Sequence, residues 1–305
     1  MAGVIRLGLV ADDLTGACDS ALPFLAGGAV EVGLWPHVPA GELACAAVST
    51  ESRDAGAGVA RARSAEAARR LGARLLVRKL DSQLRGSPAA DLAGALDAVG
   101  GGCLVAPALP GEGRTTAGGV QRWPGGETDV RALLHPLAGR VEVRDAASDR
   151  ELDAIALEAL ARGDRVVAGT AGLAAALARA LGLGAPPAPP QLSCARPAAV
   201  VGSPAAAAQA ACARAHGWDV LDAGPGELPD LTGRDGLLLT GGETAARALR
   251  AAGARTLVLL GEALPRTPVA RVREGRLAGV PVVLKAGAFG PEDAIHRALL
   301  VLSGR

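Results

Sequence analysis

Two adjacent carboxylates, Asp12 and Asp13, stand directly after an apolar run that starts at Val4 and reads as a buried strand to Val10. A carboxylate in that position can accept a hydroxyl proton or hold a cation. The Thr15 hydroxyl that follows suits the cap of a helix, which would run through Phe24 and Leu25. A second cluster, Lys79-Leu80-Asp81-Ser82-Gln83-Leu84-Arg85-Gly86-Ser87, combines donors for a carboxylate and for hydroxyls with another acidic group. Thr50-Glu51-Ser52-Arg53 adds a guanidinium, and Pro107 to Thr116 reads as a Pro- and Gly-shaped loop ending in Arg114 and two hydroxyls. Each cluster also has a plain structural alternative: a turn for Asp12-Asp13, a solvated loop for the others. The adjacency of Asp12 and Asp13 excludes the Asp-x-Asp-x-Thr arrangement of a haloacid-dehalogenase-type phosphatase.

The C-terminal third uses another vocabulary. Val201-Gly202-Ser203, Thr240-Gly241-Gly242-Glu243-Thr244 and Lys285-Ala286-Gly287-Ala288-Phe289-Gly290 are glycine-bearing turns, each after an apolar run. Glycine lets backbone N–H groups approach a phosphate, and helices starting near Glu243 and Pro291 would direct their positive ends toward it. A nucleotide is the ligand such turns suit. G-x-x-x-x-G-K-[ST], a strand-linked G-x-G-x-x-G, G-x-S-x-G, H-E-x-x-H and paired Cys/His spacings are all missing, so P-loop, dinucleotide, hydrolase and zinc classes lose support. Only two of the 32 basic residues are lysines, Lys79 and Lys285, and both fall inside these clusters. A compact ammonium fits tight anion contacts that a guanidinium would overfill.

These groups need elements to hold them. Strands are expected at Val30–Trp35, Leu43–Val48, Leu75–Leu80, Cys103–Ala106, Val141–Arg144 and Arg165–Ala168. Helices are expected at Val59–Leu71, Ala89–Val99, Arg150–Ala161 and Leu173–Leu181. Alternation of this kind implies an α/β fold with a mostly parallel sheet. Five prolines between Gly182 and Pro197 mark a semi-rigid connector. The domains are therefore 1–182, a linker at 183–197, and 198–305, each a mostly parallel sheet flanked by helices. In the last, Ala198–Gly202, Gly236–Thr240, Thr256–Leu260 and Pro281–Leu284 read as strands and Pro204–His216 as a helix.

Composition narrows the partners. With 305 residues, 50% hydrophobic content and a net charge of +1, the chain suits two globular domains, with no electrostatic case for nucleic acid or an anionic membrane. No run of eighteen or more apolar residues occurs, and Asp12 and Asp13 interrupt the first apolar run before it resembles a signal-peptide core. The expected location is cytoplasmic. Five widely spaced cysteines without a C-x-x-C pair are expected to be reduced core residues.

Taken in order, these motifs resemble the four-carbon acid sugar kinases, which phosphorylate acids such as threonate, erythronate and 3-oxo-tetronate with ATP. The resemblance runs from Ala11-Asp12-Asp13-Leu14-Thr15-Gly16-Ala17 through Glu51-Ser52-Arg53, Lys79-Leu80-Asp81-Ser82, Leu84-Arg85-Gly86, Ala106-Pro107-Ala108 and Gly113-Arg114-Thr115-Thr116. It continues through Ala171-Gly172-Leu173-Ala174 and Gly241-Gly242-Glu243-Thr244-Ala245 to Lys285-Ala286-Gly287-Ala288-Phe289-Gly290, and so covers nearly the whole chain. Cys18, Ser49 and Gln83 depart from the family pattern, and the chain is shorter than usual for it. The resemblance implies an N-terminal domain for the sugar acid, a C-terminal domain for ATP with Mg²⁺, and a ligand cleft between them.

On that basis Asp12 or Asp81 would be the catalytic base, and Asp12, Arg53, Lys79, Asp81, Ser82, Arg85 and Arg114 would bind the acid. Ser203, Gly241, Gly242, Glu243, Thr244, Lys285, Gly287, Ala288, Phe289 and Gly290 would bind the nucleotide. No metal ligand is assigned, with Asp13 and Glu243 left open. A homodimer is also left open. A non-catalytic sugar-acid-binding protein of the same fold, or an isomerase or dehydrogenase acting on such acids, stays as the alternative.

Overall fold

Short runs of Leu, Val and Ala bounded by polar turns form strands here because such side chains fill both faces of a buried parallel sheet. In the computed structural model, which describes residues 7–305 except 225 and 288, the described residues fall into two compact units that divide between Ala185 and Pro186. The first contains β1 (Leu7–Ala11), β2 (Val30–Leu34), β3 (Cys45–Ser49), β4 (Leu75–Lys79), β5 (Cys103–Ala106), β6 (Thr115–Ala117), β7 (Val120–Trp123), β8 (Gly126–Asp129), β9 (Val141–Val143) and β10 (Val166–Gly169). Its helices are α1 (Leu14–Ala21), α2 (Ala57–Leu71), α3 (Pro88–Val99), the single turn α4 (Val130–Leu133), α5 (Asp149–Arg162) and α6 (Ala171–Ala180).

The main sheet of this unit runs β2-β3-β1-β4-β10-β5-β9, parallel throughout. Helices α2 and α3 pack together on one side, burying Ala68, Leu71, Leu92 and Leu96 against Val10, Val48 and Leu76. Each fully buried leucine contributes about 1.5–3 kcal/mol. Helix α1 packs with α6, and α6 with α5. The chain leaves β1 toward β2 and β3 in one direction and leaves β4 toward β5 in the other. The carboxyl ends of β1 and β4 are therefore a topological switch point, where open α/β sheets bind ligands.

The second unit contains β11 (Pro197–Val201), α7 (Ala207–Ala215), β12 (Asp219–Asp222), β13 (Gly236–Thr240), α8 (Gly242–Ala251), β14 (Thr256–Leu264), β15 (Thr267–Val272), β16 (Pro281–Lys285) and α9 (Ala294–Ser303). Its strand order is β12-β11-β13-β16-β15-β14. The first four strands pair in parallel, as expected, but β15 is antiparallel to both β14 and β16. The sheet is thus mixed, because Pro265 and Arg266, the latter at φ +60°, turn β14 back as a hairpin. Ile295, Leu299 and Leu302 of α9 and Ala210 and Ala213 of α7 cover Ala199, Leu238 and Val283.

Several expected elements differ. Residues 4–6 of the first expected strand lie outside the described residues. The helix expected to reach Leu25 is α1 to Ala21 and then a 3₁₀ turn, Leu22–Gly27, because Pro23 lacks an N–H to continue the α pattern. Asp13 rather than Thr15 caps α1: its side chain accepts from the Gly16 N–H at 3.1 Å, while Thr15 Oγ1 donates to Asp13 at 2.7 Å. The expected helix at Pro204 is a 3₁₀ turn before α7, and the last helix starts at Ala294 rather than near Pro291. The stretch after Arg114, expected as loop, is a three-stranded antiparallel sheet, β6-β7-β8. All five cysteines are free, with Cys18, Cys45 and Cys103 buried and Cys194 and Cys212 partly exposed.

Candidate functional site

In the first unit the ends of β1, β3 and β4 bring one charged cluster together. Thr50 Oγ1 donates to the Ala11 carbonyl at 2.9 Å, and the Thr50 and Ser52 hydroxyls bond at 2.8 Å. These bonds pin the β3 turn to β1, and Arg53 reaches Asp12, Asp13 and Asp81 from it. Asp81 Oδ1 accepts the Gln83 N–H at 3.0 Å, and Arg85 Nε and Nη2 grip its two oxygens at 2.9 and 2.7 Å. Leu84 takes φ +59° to close this turn. The Arg114 guanidinium donates to the Ser82 hydroxyl. All seven residues expected to bind the acid, Asp12, Arg53, Lys79, Asp81, Ser82, Arg85 and Arg114, therefore lie in this one neighbourhood.

Lys79 stands apart within it. Its side chain ends beside the first turn of α1, where a Cβ on Gly16 would come 2.9 Å from Nζ. A side chain at residue 16 would displace that ammonium and the Asp13 carboxylate, whose Oδ1 lies 2.4 Å from the same Cβ position. Lys79 is only 6% exposed, yet among the described residues its ammonium makes neither a hydrogen bond nor a direct ion pair, the Asp13 and Asp81 charges acting on it from farther away. Three N–H donors without a direct acceptor among the described residues suit the oxygens of an anionic ligand.

The carboxylates divide by environment. Burial, and then the Asp13 charge, raise Asp12 above the ordinary carboxylate value in spite of Arg53. Burial also acts to raise Asp13, but Arg53, Lys79 and the Thr15 hydrogen bond outweigh it and lower that group. At Asp81 burial is again opposed, here by the Arg85 hydrogen bonds and the Arg53 and Lys79 charges, which hold the carboxyl well below its usual range. Of the three, Asp12 is the carboxylate better suited to take a proton, and Asp81 is the more firmly fixed.

The second unit arranges its groups on turns after β11, β13 and β16. Gly241, at φ +83°, precedes α8, whose first turn has no side-chain cap, and its N–H donates to the Lys285 carbonyl at 2.9 Å. Gly242 and the exposed Glu243 open α8, and Thr244 is buried, with Oγ1 lying 2.1 Å from where a Gly202 Cβ would be. A Cβ on Gly287 would come 2.2 Å from Ser203 Oγ, so the β16 turn lies directly on the β11 turn. Gln209 Nε2 donates to the Phe289 and Gly290 carbonyls, both at 3.1 Å, and the Arg266 guanidinium sits 5.3 Å from the Phe289 ring centroid. Lys285 is 2% exposed and donates to the Ala286 carbonyl at 2.9 Å and the Gly287 carbonyl at 3.4 Å. Burial lowers its pKa to about 8. Ala288 lies outside the described residues.

Sequence reasoning missed the supports of the first site. Arg78 and Asp91 form a buried ion pair at 2.8 Å, with Arg78 also donating to the Val10 and Lys79 carbonyls and Ser52 donating to Asp91 at 3.3 Å. An arginine inside the apolar run Leu75–Lys79 was the available signal. Gln121 of β7, fully buried, donates to the Pro107 carbonyl at 2.9 Å and the Ser82 carbonyl at 3.4 Å, and accepts from Thr116. Nothing in the local sequence marks that role.

Residues 7–128 match the family model described as a sugar-binding N-terminal domain, and residues 226–295 match that of a nucleotide-binding C-terminal domain. A D-threonate kinase of Cupriavidus necator is 32% identical, with 95% of this chain and 96% of that protein covered. The alignment spans 404 positions against the 305 residues here, so that relative carries segments this chain lacks. A D-threonate kinase of Bordetella bronchiseptica is 28% identical, with 98% of each covered. A solved B. bronchiseptica structure, described as a domain-swapped dimer with bound citrate, is 28% identical, covers 99% of each chain and has a TM-score of 0.53. A Salmonella typhimurium LT2 structure, 20% identical, covers 96% of this chain and 98% of that one and shares the fold at a TM-score of 0.74. Among the described residues no helix is long and apolar enough to cross a membrane.

Proposed function

The chain belongs to the four-carbon acid sugar kinase family, and from that membership we propose that it transfers the terminal phosphoryl group of ATP to the terminal hydroxyl of a four-carbon sugar acid. Threonate, erythronate and 3-oxo-tetronate are the acids in view. The observation that carries the proposal is the buried, unpartnered Lys79 ammonium beside Asp12, Asp13 and Asp81, in the stretch that matches the sugar-binding model. It supplies a counter-charge for the acid and a carboxylate for the hydroxyl in one place. Citrate in the Bordetella structure supports a carboxylate ligand for this fold.

Phosphoryl transfer asks the protein mainly for positioning and electrostatics. Lys79 takes the substrate carboxylate, and Ser82, Arg85 and Arg114 take its hydroxyls and remaining charge. Asp12 orients the terminal hydroxyl and accepts its proton, the role its raised pKa favours. Asp81, held by Arg85, keeps the β4 turn in shape.

The nucleotide reading of the second unit is supported by its glycine-bearing strand-end turns, by the first turn of α8 without a side-chain cap, and by the match of residues 226–295 to a nucleotide-binding domain. Ser203, Gly241, Gly242, Glu243, Thr244, Lys285, Gly287, Phe289 and Gly290 would hold ATP. Among the described residues no group of three or more acidic, His or Cys side chains could hold a metal ion. The Asp13 oxygens are already taken by Arg53, Thr15 and the Gly16 N–H, so a Mg²⁺ would be carried on phosphate oxygens and water with at most one carboxylate, Glu243. Bound ATP and Mg²⁺ would supply the phosphoryl group and neutralise charge on it. A coupled assay of ATP consumption over four-carbon acids and their 3-oxo forms tests the proposal. Acid-dependent turnover is expected. Acid binding without ATP consumption would instead make the chain a binding protein, and a tightly held nicotinamide would make it another enzyme.

A further inference from the structure

Arg53 is committed to carboxylates of the protein itself. Its Nε and Nη2 donate to Asp12 Oδ2 and Oδ1, each at 2.9 Å. The same Nη2 lies 2.8 Å from Asp13 Oδ1 and 3.3 Å from Asp81 Oδ2. These carboxylates come from the ends of two neighbouring strands, β1 and β4, and would repel one another without a cation among them.

The backbone holding Arg53 is fixed from two sides. The Ser52 N–H donates to the Asp12 carbonyl at 3.1 Å, and a Cβ on Gly86 would come 3.1 Å from the Arg53 carbonyl. Glu51, just before, takes φ +47° so that the β3 turn can aim the next side chains inward. A guanidinium whose bidentate edge is filled by a protein carboxylate cannot offer that edge to a ligand carboxylate. Lys79, two residues before Asp81 and without a partner of its own among the described residues, has no such commitment.

We infer that Arg53 is a positioning residue: it aligns Asp12 for proton transfer and ties it to Asp13 and Asp81, while the acid is read by Lys79. The inference rests on the acid-kinase proposal for its substrate, though not for its geometry.

The test uses Arg53→Met, which removes the charge, and Arg53→Lys, which keeps charge and loses the fork. In Arg53→Met, turnover at saturating acid should fall by about 100-fold or more, the scale of a mispositioned base. Affinity for threonate and for the neutral four-carbon polyol should change by the same factor. The acid limb of the kcat/KM profile should move to higher pH, since the Arg53 charge lowers Asp12. Arg53→Lys should return that limb toward its original place with turnover still depressed. A ¹³C-carboxyl titration of Asp12, assigned through Asp12→Asn, reads the same shift with no substrate present. It therefore decides the role of Arg53 even if the wild type phosphorylates no four-carbon acid, and Arg53→Lys decides it if Arg53→Met does not fold. An unmoved Asp12 titration, or affinity lost for the acid alone with turnover kept, would overturn the inference.

Discussion

Lys79 and Lys285 end comparable parallel strands, β4 and β16, yet their surroundings are opposite. Lys79 lies among Asp12, Asp13 and Asp81, whose charges act on one another and on it. Among the described residues Lys285 has only the Ala286 and Gly287 carbonyls as hydrogen-bond acceptors, and burial pulls its pKa down to about 8. The first unit thus builds its site from ionised side chains, with Arg53 and Arg85 holding the three carboxylates and the Lys79 ammonium left without a direct partner among the described residues. The second builds from glycine-bearing turns packed on one another, Gly202 against Thr244 and Gly287 against Ser203. The contrast follows from the ligands proposed: a hydroxyl that must lose a proton needs a carboxylate of adjusted acidity, whereas phosphates need N–H groups and one positive charge at close range. The first unit should then fail when a charge is removed, and the second when a Cβ is added.

The largest effect should come from Arg78→Met. It leaves Asp91 buried without its ion-pair partner, and breaking such a pair costs about 3–5 kcal/mol. Urea unfolding should show that loss, and hydrogen exchange should confine it to the first unit. A loss below about 1 kcal/mol would mean the charged scaffold is not what fixes the β4 end. Next, Asp12→Asn should lower turnover by about 10² or more while ATP affinity stays within about twofold. Near-wild-type turnover would move the base to Asp81.

The smallest effect is a pH response of the second unit. Because the folded pKa of Lys285 lies near 8, below its ordinary 10.5, the unfolded chain holds the proton between those values while the folded one has lost it. Stability should therefore rise with pH across that window. If the β16 turn holds phosphate as proposed, ATP affinity should run the other way, falling as pH passes 8 and the positive charge leaves that turn. Both slopes should vanish in Lys285→Met. If affinity and stability moved together, the ammonium would not face phosphate.

Much of this contrast was legible in the sequence because both sites follow apolar runs. A strand announces itself by its Val, Leu and Ala, and the residues at its carboxyl end then fall at the ligand edge of the sheet. That logic placed Asp12, Lys79 and Asp81 on the one side and Ser203, Gly241 and Gly287 on the other. It could not place β6, β7 and β8, whose strands are three or four residues long and joined by Gly-rich turns. Such segments carry too few side chains to display alternation. Nor could it foresee Gln121, whose partners are carbonyls of Ser82 and Pro107 brought near only by the folded sheet. The capping of α1 was ambiguous for a simpler reason: Asp13 and Thr15 are both cap residues, and only the position of the Gly16 N–H decides between them. The commitment of Arg53 was likewise hidden, since residue type predicts a cation but not which carboxylates it already holds.

The central claim is the division of labour, with the acid read by the first unit and the nucleotide by the second. Calorimetry of threonate and of ATP, each titrated separately into Lys79→Ala and Gly287→Val, tests it most directly. Lys79→Ala should lose about 2 kcal/mol or more in threonate binding, since the acid's charge loses its partner, and keep its ATP affinity. Gly287→Val should keep threonate binding and lose ATP, because the added side chain collides with Ser203 and fills the turn. Unchanged ATP affinity in Gly287→Val, or ATP binding lost in Lys79→Ala with threonate binding intact, would contradict the account.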